Sequence, residues 1–286
     1  MTSRDLPAAI GAGPDQTLHI YYLKGRVAPQ ADLSAPGFIG NWEEDGFSFL
    51  FYNRSCRPKI DRLLAAQPHL EMIDAYRMTY AEWLGERPAA YRAGRLEVVP
   101  VWEAERKDGR PAPDRHRLIL DPGVVFGSGT HATTRDCLLA LSAVYGEGRP
   151  RTVIDLGTGT GILALAAAAL GCRSALAVDL NLLAVRTAAG NIRINRREDR
   201  VLAVQGRAEA FIDHPAELLV ANIHHDVMRR LIPSAGFRQK KWFILSGLMR
   251  SQAAAVADQL AGAGSIVRGH SIGADIWHTY WGINPP

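Results

Sequence analysis

Apolar and polar positions follow a regular pattern in the second half of this 286-residue chain. Short apolar segments that are typical of buried strands alternate with longer segments whose apolar residues recur at helical spacing. The apolar segments span residues 152–156, 176–179, 202–205, 218–222 and 242–246. Because strands that alternate with helices form parallel sheets with helices on both faces, this pattern predicts a doubly wound α/β domain.

The end of the chain departs from that alternation. Two apolar segments, 266–269 and 278–283, are connected through Gly273-Ala274-Asp275 without a helix between them. Such a connection joins antiparallel neighbours. We therefore expect an antiparallel terminal strand pair in an otherwise parallel sheet.

The first hundred residues have a mixed pattern. Residues 17–24 and 46–52 are strand-like, whereas 57–66 and 72–83 carry apolar residues at helical spacing. This mixture predicts a small α+β unit with its own core.

A joint between the two parts is expected near residue 95. Residues 96–102 and 116–120 are strand candidates, and Lys107-Asp108-Gly109-Arg110 offers a turn between them, which predicts a hairpin. We therefore assign residues 1–95 to an N-terminal α+β domain with its linker, and residues 96–286 to the α/β domain.

The most informative local motif is VIDLGTGTGIL, residues 153–163. An apolar strand leads into Gly157, Gly159 and Gly161, and a helix follows. Glycines at a strand-to-helix turn let the backbone approach a ligand closely. A glycine-rich turn of this kind also occurs for packing reasons alone, so the motif needs its context.

The next strand supplies that context, because it ends at Asp179, 22 residues after Gly157. An acidic side chain at this place accepts hydrogen bonds from both ribose hydroxyls of a nucleoside. The glycine spacing is GxGxG, and the position where a dinucleotide loop has its last glycine is Ile162. The pattern therefore favours a nucleoside without a pyrophosphate, S-adenosylmethionine, over a nicotinamide dinucleotide.

A second glycine-rich segment precedes this domain: LDPGVVFGSGTHATT, residues 120–134. Phe126 is a candidate apolar cover for the cofactor. Thr134 is predicted to begin a helix, where it would cap the helix or face the cofactor's carboxylate. The alternative is a capped surface loop.

Five segments together resemble the ribosomal protein methyltransferases of PrmA type. They are LDPGVVFGSGTHATT, VIDLGTGTGILALAA, VDLN, LLVANI and LSGL, in that order. The resemblance covers roughly residues 75–286. It implies a class I methyltransferase domain with a Rossmann-like sheet, and a small N-terminal domain that recognises the substrate. It further implies S-adenosylmethionine-dependent methylation of lysine and N-terminal amines of the eleventh large-subunit ribosomal protein.

The resemblance also assigns residues. It implies that Thr134, Gly157, Asp179 and Asn222 contact the cofactor, and we add Gly159, Phe126 and Thr133 as cofactor candidates. Asn222 ends the fourth strand, where its side-chain carbonyl oxygen would orient the acceptor amine. His131 and His224 are candidate proton acceptors. The sequence departs from the family at Ile223-His224-His225-Asp226, where the acceptor would enter.

The composition of the chain excludes several classes of protein. Hydrophobic residues make up 47% of the chain and charged residues 22%, which excludes a disordered protein. Three scattered cysteines indicate neither a disulfide framework nor a metal site. We find no signal peptide pattern in residues 1–14 and no apolar run that could span a membrane, so we expect a cytoplasmic protein.

The net charge of +4 is unevenly distributed. Residues 1–100 hold 11 basic and 12 acidic side chains, a net of −1, and residues 101–286 hold 22 and 17, a net of +5. A basic domain would permit a nucleic-acid partner, yet a ribosomal protein substrate fits the motifs better, and no specific nucleic acid is expected. Two alternatives stay open: the same chemistry on another protein or a small molecule, and a non-catalytic module that binds RNA or a protein partner.

Overall fold

The computed structural model describes residues 13–33, 35–85, 87–104 and 114–285. Backbone contacts divide them into two compact units. The first unit holds the described residues up to Pro88, and the second holds those from Ala89 onward. Among these residues, no helix has the length and apolar character needed to cross a membrane.

The first unit is a four-stranded antiparallel sheet with one longer and one short helix. Its strands and helices are β1 (Thr17–Lys24), β2 (Phe38–Glu44), β3 (Phe47–Tyr52), α1 (Arg57–Ala66), β4 (Glu71–Thr79) and α2 (Tyr80–Leu84). The strand order is β2-β3-β1-β4. Ile60 and Leu63 of α1 pack against Tyr21, Leu50 and Tyr52 of the sheet, which gives this unit its own core.

One helix prediction for this unit is wrong. Residues 72–83 were expected to be helical, but β4 occupies residues 71–79 and only α2 is helical. Eight residues of β1 pair with β4, from Thr17 opposite Thr79 to Lys24 opposite Glu71. Pairing along a whole strand outweighs the weak local preference that apolar spacing expresses.

The second unit opens with a small three-stranded sheet. It contains β5 (Tyr91–Ala93), β6 (Leu96–Pro100), α3 (Val101–Ala104) and β7 (His116–Leu120). The expected hairpin is wrong, because β6 and β7 are parallel. Parallel neighbours need a crossover of about a dozen residues or more rather than a tight turn. The turn predicted at residues 107–110 lies outside the described residues.

The main sheet has seven strands in the order β10-β9-β8-β11-β12-β14-β13. Its strands are β8 (Thr152–Leu156), β9 (Ser174–Asp179), β10 (Val201–Gln205), β11 (Leu218–Asn222), β12 (Trp242–Leu248), β13 (Ile266–Gly273) and β14 (Trp277–Ile283). The first five strands in the order are parallel, and β14 is antiparallel to both β12 and β13. This confirms the doubly wound sheet and its antiparallel terminal pair.

Helices cover both faces of this sheet. They are α4 (Ala132–Glu147), α5 (Ile162–Leu170), α6 (Leu182–Ile194), α7 (Ala208–Phe211), α8 (His225–Leu231), α9 (Ala235–Arg238) and α10 (Arg250–Gly262). One core contains α4 and α5, and the other contains α8 and α10. Neighbouring strand residues such as Val153 and Ile154 belong to opposite cores. Strands buried on both faces are continuously apolar, which explains the pattern in the sequence.

Candidate active site

The candidate site lies at the carboxyl ends of the parallel strands. The chain leaves β8 for α5, while β11 lies next to β8 on the other side from β9. The strand order therefore reverses between β8 and β11: β9 and β10 lie on one side of β8, and β11 and β12 lie on the other. Open α/β sheets bind their ligands in the crevice at such a reversal.

The glycine loop between β8 and α5 has no space for a side chain at Gly157 or Gly159. Gly157, Gly159 and Gly161 have φ values of 75°, 55° and 83°, in the left-handed region that favours glycine. A Cβ atom on Gly157 would lie 2.2 Å from Cγ2 of Ile223, and one on Gly159 would lie 2.3 Å from the carbonyl oxygen of Phe126. Close packing by neighbouring segments thus requires glycine at both positions.

The backbone amides of this loop already have protein acceptors. The N–H groups of Gly157 and Thr158 donate to the Val178 carbonyl, that of Gly159 to the Asp179 carboxylate, that of Thr160 to the Phe126 carbonyl, and that of Gly161 to the Thr158 carbonyl. A pyrophosphate loop offers free N–H groups to its ligand. These hydrogen bonds therefore favour a nucleoside without a pyrophosphate over a dinucleotide, as the GxGxG spacing predicts.

Asp179 ends β9 beside the loop. Its Oδ2 accepts from Gly159 N at 3.0 Å and its Oδ1 accepts from Asn181 N at 2.9 Å. Partial burial raises the pKa of this carboxyl, and the backbone hydrogen bonds oppose that rise. Each carboxylate oxygen keeps a second lone pair, which suits hydroxyl donors of a ribose.

A second carboxyl, Asp155, lies fully buried beneath the loop. Its Oδ2 accepts from Thr158 Oγ1 at 2.5 Å and from Ala164 N at 3.2 Å, so it connects the loop to the first turn of α5. Burial raises its pKa to about 7. The sequence signal for this residue is an aspartate within an otherwise apolar strand.

The upstream loop ends in the helix α4, with His131 as its N-cap. The prediction that Thr134 begins this helix is wrong, because the helix begins at Ala132 and Thr134 is its third residue. Thr134 is 1% exposed, and its hydroxyl has no hydrogen-bond partner among the described residues. Burying a hydroxyl without a partner costs free energy, so this group is a candidate ligand contact.

Two residues that sequence reasoning missed attach the upstream loop to the glycine loop. Thr160 donates its hydroxyl to the Gly127 carbonyl at 2.7 Å. Asn191, fully buried in α6, accepts from Asp121 N and donates to the carbonyls of Asp121 and Thr160. A fully buried asparagine must find partners, but only the fold reveals which residues they are.

Three predicted site residues meet at the end of β11. Asn222 donates from Nδ2 to the hydroxyl of Thr133 at 3.2 Å, and that hydroxyl lies 2.8 Å from Nδ1 of His131. Desolvation lowers the pKa of His131, so its ring is neutral at pH 7. The ring packs between Phe126 and Trp277, with centroid distances of 5.3 and 5.0 Å. Trp277 carried no signal in the sequence.

The remaining predicted residues take different places. Phe126 is 49% exposed, as an apolar cover at the rim of a crevice would be. His224 is the N-cap of α8, where its Nδ1 accepts from Asp226 N. His225 follows it as the first residue of α8. The two histidines thus begin a helix beyond the end of β11.

The fold and this site together define the class. A parallel sheet whose last strand is inserted antiparallel next to its edge, with a glycine loop and an acidic residue after the first two strands, is the fold of class I methyltransferases. Within that class the chain belongs to the ribosomal protein L11 methyltransferase (PrmA) family, because the model of that family matches residues 70–275. Most of the first unit precedes this match.

Individual relatives agree with the family model. The ribosomal protein L11 methyltransferase of Exiguobacterium sibiricum is 39% identical over 171 residues, which is 59% of this chain and 52% of that protein. The one of Geobacillus thermodenitrificans is 36% identical over 195 residues, 67% of this chain and 60% of that protein. The chain spans about half the length of the curated relatives it matches.

A crystal structure gives the same result. The ribosomal protein L11 methylase of Lactobacillus delbrueckii subsp. bulgaricus superimposes with a TM-score of 0.58 and 29% sequence identity. The superposition covers 68% of this chain and 97% of that one. The likeness therefore extends over nearly the whole of the solved chain.

Proposed function

We propose that this chain is an S-adenosylmethionine-dependent N-methyltransferase that acts on lysine side chains and the N-terminal amine of ribosomal protein L11. The observation that carries the proposal is the buried, unpartnered hydroxyl of Thr134 in the first turn of α4, in a chain of the L11 methyltransferase family. The names of the matched relatives support the substrate, and the site supports the cofactor. The cytoplasm as the place of reaction belongs to the same proposal.

The residues present fit this cofactor. Gly157 and Gly159 let the loop take its left-handed path beside Asp179, which can accept from the ribose hydroxyls of the cofactor. The Thr134 hydroxyl is free to donate to a carboxylate at the start of α4, where the helix dipole favours a negative charge. Phe126 covers the crevice, and Thr133 adjoins it. When bound, the cofactor supplies a methyl group on a sulfonium. The leaving group is then a neutral thioether, which needs no protonation.

The chain must orient a neutral amine. An unperturbed lysine has a pKa of about 10.4 and an N-terminal amine one of about 7.7–8.0, so a lysine must lose a proton or be desolvated before it attacks. In the proposal, the Oδ1 atom of Asn222 accepts a hydrogen bond from the amine and aims its lone pair. Proximity and orientation of this kind can supply several kcal/mol of the barrier. His131 remains a predicted proton acceptor in this step.

Calorimetry tests the cofactor. S-adenosylhomocysteine should bind the full chain, and Thr134→Val should weaken that binding while Thr130→Val does not. Thr130 lies on the same loop, and its hydroxyl pairs with Ser128. Absence of any binding by the wild-type chain would contradict the proposed cofactor.

A labelled-methyl assay tests the acceptor. The chain is incubated with radiolabelled S-adenosylmethionine and a mixture of purified large-subunit proteins, and label should appear in L11 alone. Asn222→Ala should lower the rate about 100-fold, the loss typical of a misplaced reactant. Label in a different protein or in a small molecule would show that this molecule, and not L11, is the acceptor. Binding without any transfer would indicate the non-catalytic alternative.

A further inference from the structure

The hydroxyl of Thr133 connects two residues of the candidate site. It lies 2.8 Å from His131 Nδ1 and 3.2 Å from Asn222 Nδ2. Thr133 is 1% exposed, so its hydroxyl is shielded from bulk solvent in the folded protein. The direction of each hydrogen bond in this chain can be worked out from one fixed donor.

That fixed donor is the backbone N–H of Thr133. It points at His131 Nδ1, 3.4 Å away, in the N-cap arrangement of α4. A backbone amide can only donate, so Nδ1 must carry its lone pair and the ring proton must be on Nε2. The Thr133 hydroxyl, 2.8 Å away, therefore donates its only proton to the same lone pair, which the hydroxyl and the amide share.

The orientation of the Asn222 amide follows. With its proton committed to His131, the Thr133 oxygen can only accept, and the atom of Asn222 that faces it must be the NH₂ group. Oδ1 then points the other way. A flipped amide would place Oδ1 against the lone pairs of Thr133 and present two N–H donors where the acceptor amine brings its own N–H groups.

The surroundings support this orientation. A Cβ atom on Gly247 would lie 3.1 Å from Asn222 Oδ1, and Gly247 has a φ of 87°, so a glycine keeps the space beside the oxygen open. The His131 ring is held between Phe126 and Trp277. The His131 end of the hydrogen-bonded chain is thus held by packing, and the Asn222 oxygen has open space beside it.

We propose that His131 is a positioning residue: through the Thr133 hydroxyl it fixes the amide of Asn222 with its oxygen toward the acceptor amine. This rests on the proposed function and deepens it. It gives His131 an orienting role in place of proton acceptance, since the one lone pair of Nδ1 is already engaged by Thr133.

Substitutions at His131 distinguish the two roles. Asparagine is a good N-cap, and its amide oxygen can accept the same two hydrogen bonds, but it cannot take up a proton near neutral pH. We expect His131→Asn to keep kcat within about threefold of wild type and His131→Ala to lower kcat about 10- to 100-fold. If His131→Asn is as impaired as His131→Ala, the positioning role is wrong.

A double-mutant cycle tests the route through Thr133. Thr133→Val should lower kcat about as much as His131→Ala, Thr133→Ser should restore it, and either loss should disappear when Asn222 is already alanine. Additive losses would overturn the proposal. A residue that merely caps α4 would lower Tm without lowering kcat and would show no coupling to Asn222.

The activity of the wild-type chain distinguishes a failure of the positioning role from a failure of the proposed function. Rates are measured as methyl transfer to L11 at saturating cofactor, with the circular dichroism spectrum and Tm as a check that each variant is folded. An active wild type with additive losses contradicts the positioning role alone. A folded wild type that methylates no amine contradicts the proposed function and the positioning role with it.

Discussion

Replacing Asp155 by asparagine should remove a pH dependence of stability that the buried carboxyl creates. The folded protein holds its pKa at about 7, against 3.8 for the unperturbed group. Between these two values the folded state binds a proton that the unfolded state has released. Raising the pH through this range therefore lowers the free energy of unfolding, and the loss is complete once the pH exceeds 7.

The magnitude follows from the pKa difference. Each pKa unit corresponds to about 1.4 kcal/mol, and the folded carboxyl is still half protonated at pH 7, so wild type should lose roughly 2 kcal/mol between pH 5 and pH 7 from this group. Asparagine resembles the protonated carboxyl: its oxygen can accept from Thr158 and Ala164, and it carries no charge. The Asp155→Asn variant should therefore gain stability relative to wild type as the pH rises.

The assay is urea unfolding of the ligand-free chain from pH 5 to pH 8, followed by tryptophan fluorescence; Trp242, buried in β12, lies in the same unit. Asp258→Asn, an exposed position on α10, controls for the loss of one carboxylate. A difference between Asp155→Asn and wild type that stays constant over this range would refute the reasoning.

Three further substitutions test the site. Thr134→Val should leave thermal stability unchanged or higher, because the hydroxyl has no partner, while weakening S-adenosylhomocysteine about tenfold by calorimetry; a loss of stability would contradict it. Gly159→Ala should weaken the same ligand more than about tenfold, because its Cβ would meet the Phe126 carbonyl at 2.3 Å and its left-handed backbone costs about 1–2 kcal/mol; unchanged affinity would refute this. Gly190→Ala, its matched control inside α6 with no atom within 4 Å of the added Cβ, should raise stability by about 1 kcal/mol and leave affinity unaltered.

The central strands of the large sheet could be predicted because burial on both faces makes their sequences continuously apolar. Each central strand of the large sheet contributes alternate residues to two cores, so its apolar run is continuous. The glycine loop was predictable for a different reason: Gly157 and Gly159 have backbone conformations and close neighbours that few other residues tolerate. The terminal antiparallel pair followed from the lack of a connecting helix.

The errors arose where tertiary pairing decided the outcome. The strand β4 carries apolar residues at helical spacing, but pairing with β1 makes it extended. The strands β6 and β7 were expected to form a hairpin, and their parallel pairing depends on a connection whose path no local pattern encodes. Thr134 was placed at the start of α4 because residues 135–144 are compatible with a helix, whereas the helix begins at Ala132 with His131 as its N-cap.

The contacts inside the candidate site could not be predicted for the same reason. Thr133 and Asn222 are 89 residues apart, and the sequence nominated both without indicating that they meet. Asn191 and Trp277 reach the site from α6 and from the start of β14. Their importance depends entirely on which segments the sheet topology brings together.

Intact-protein mass spectrometry of purified L11 tests the central claim most directly. L11 is incubated with the chain and S-adenosylmethionine, and the product is fragmented to locate the added mass. The account predicts mass increments of whole methyl groups on lysine side chains or the N-terminal amine, which the Asn222→Ala variant adds far more slowly. An unmodified L11, or methyl groups only on atoms other than amine nitrogens, would contradict it.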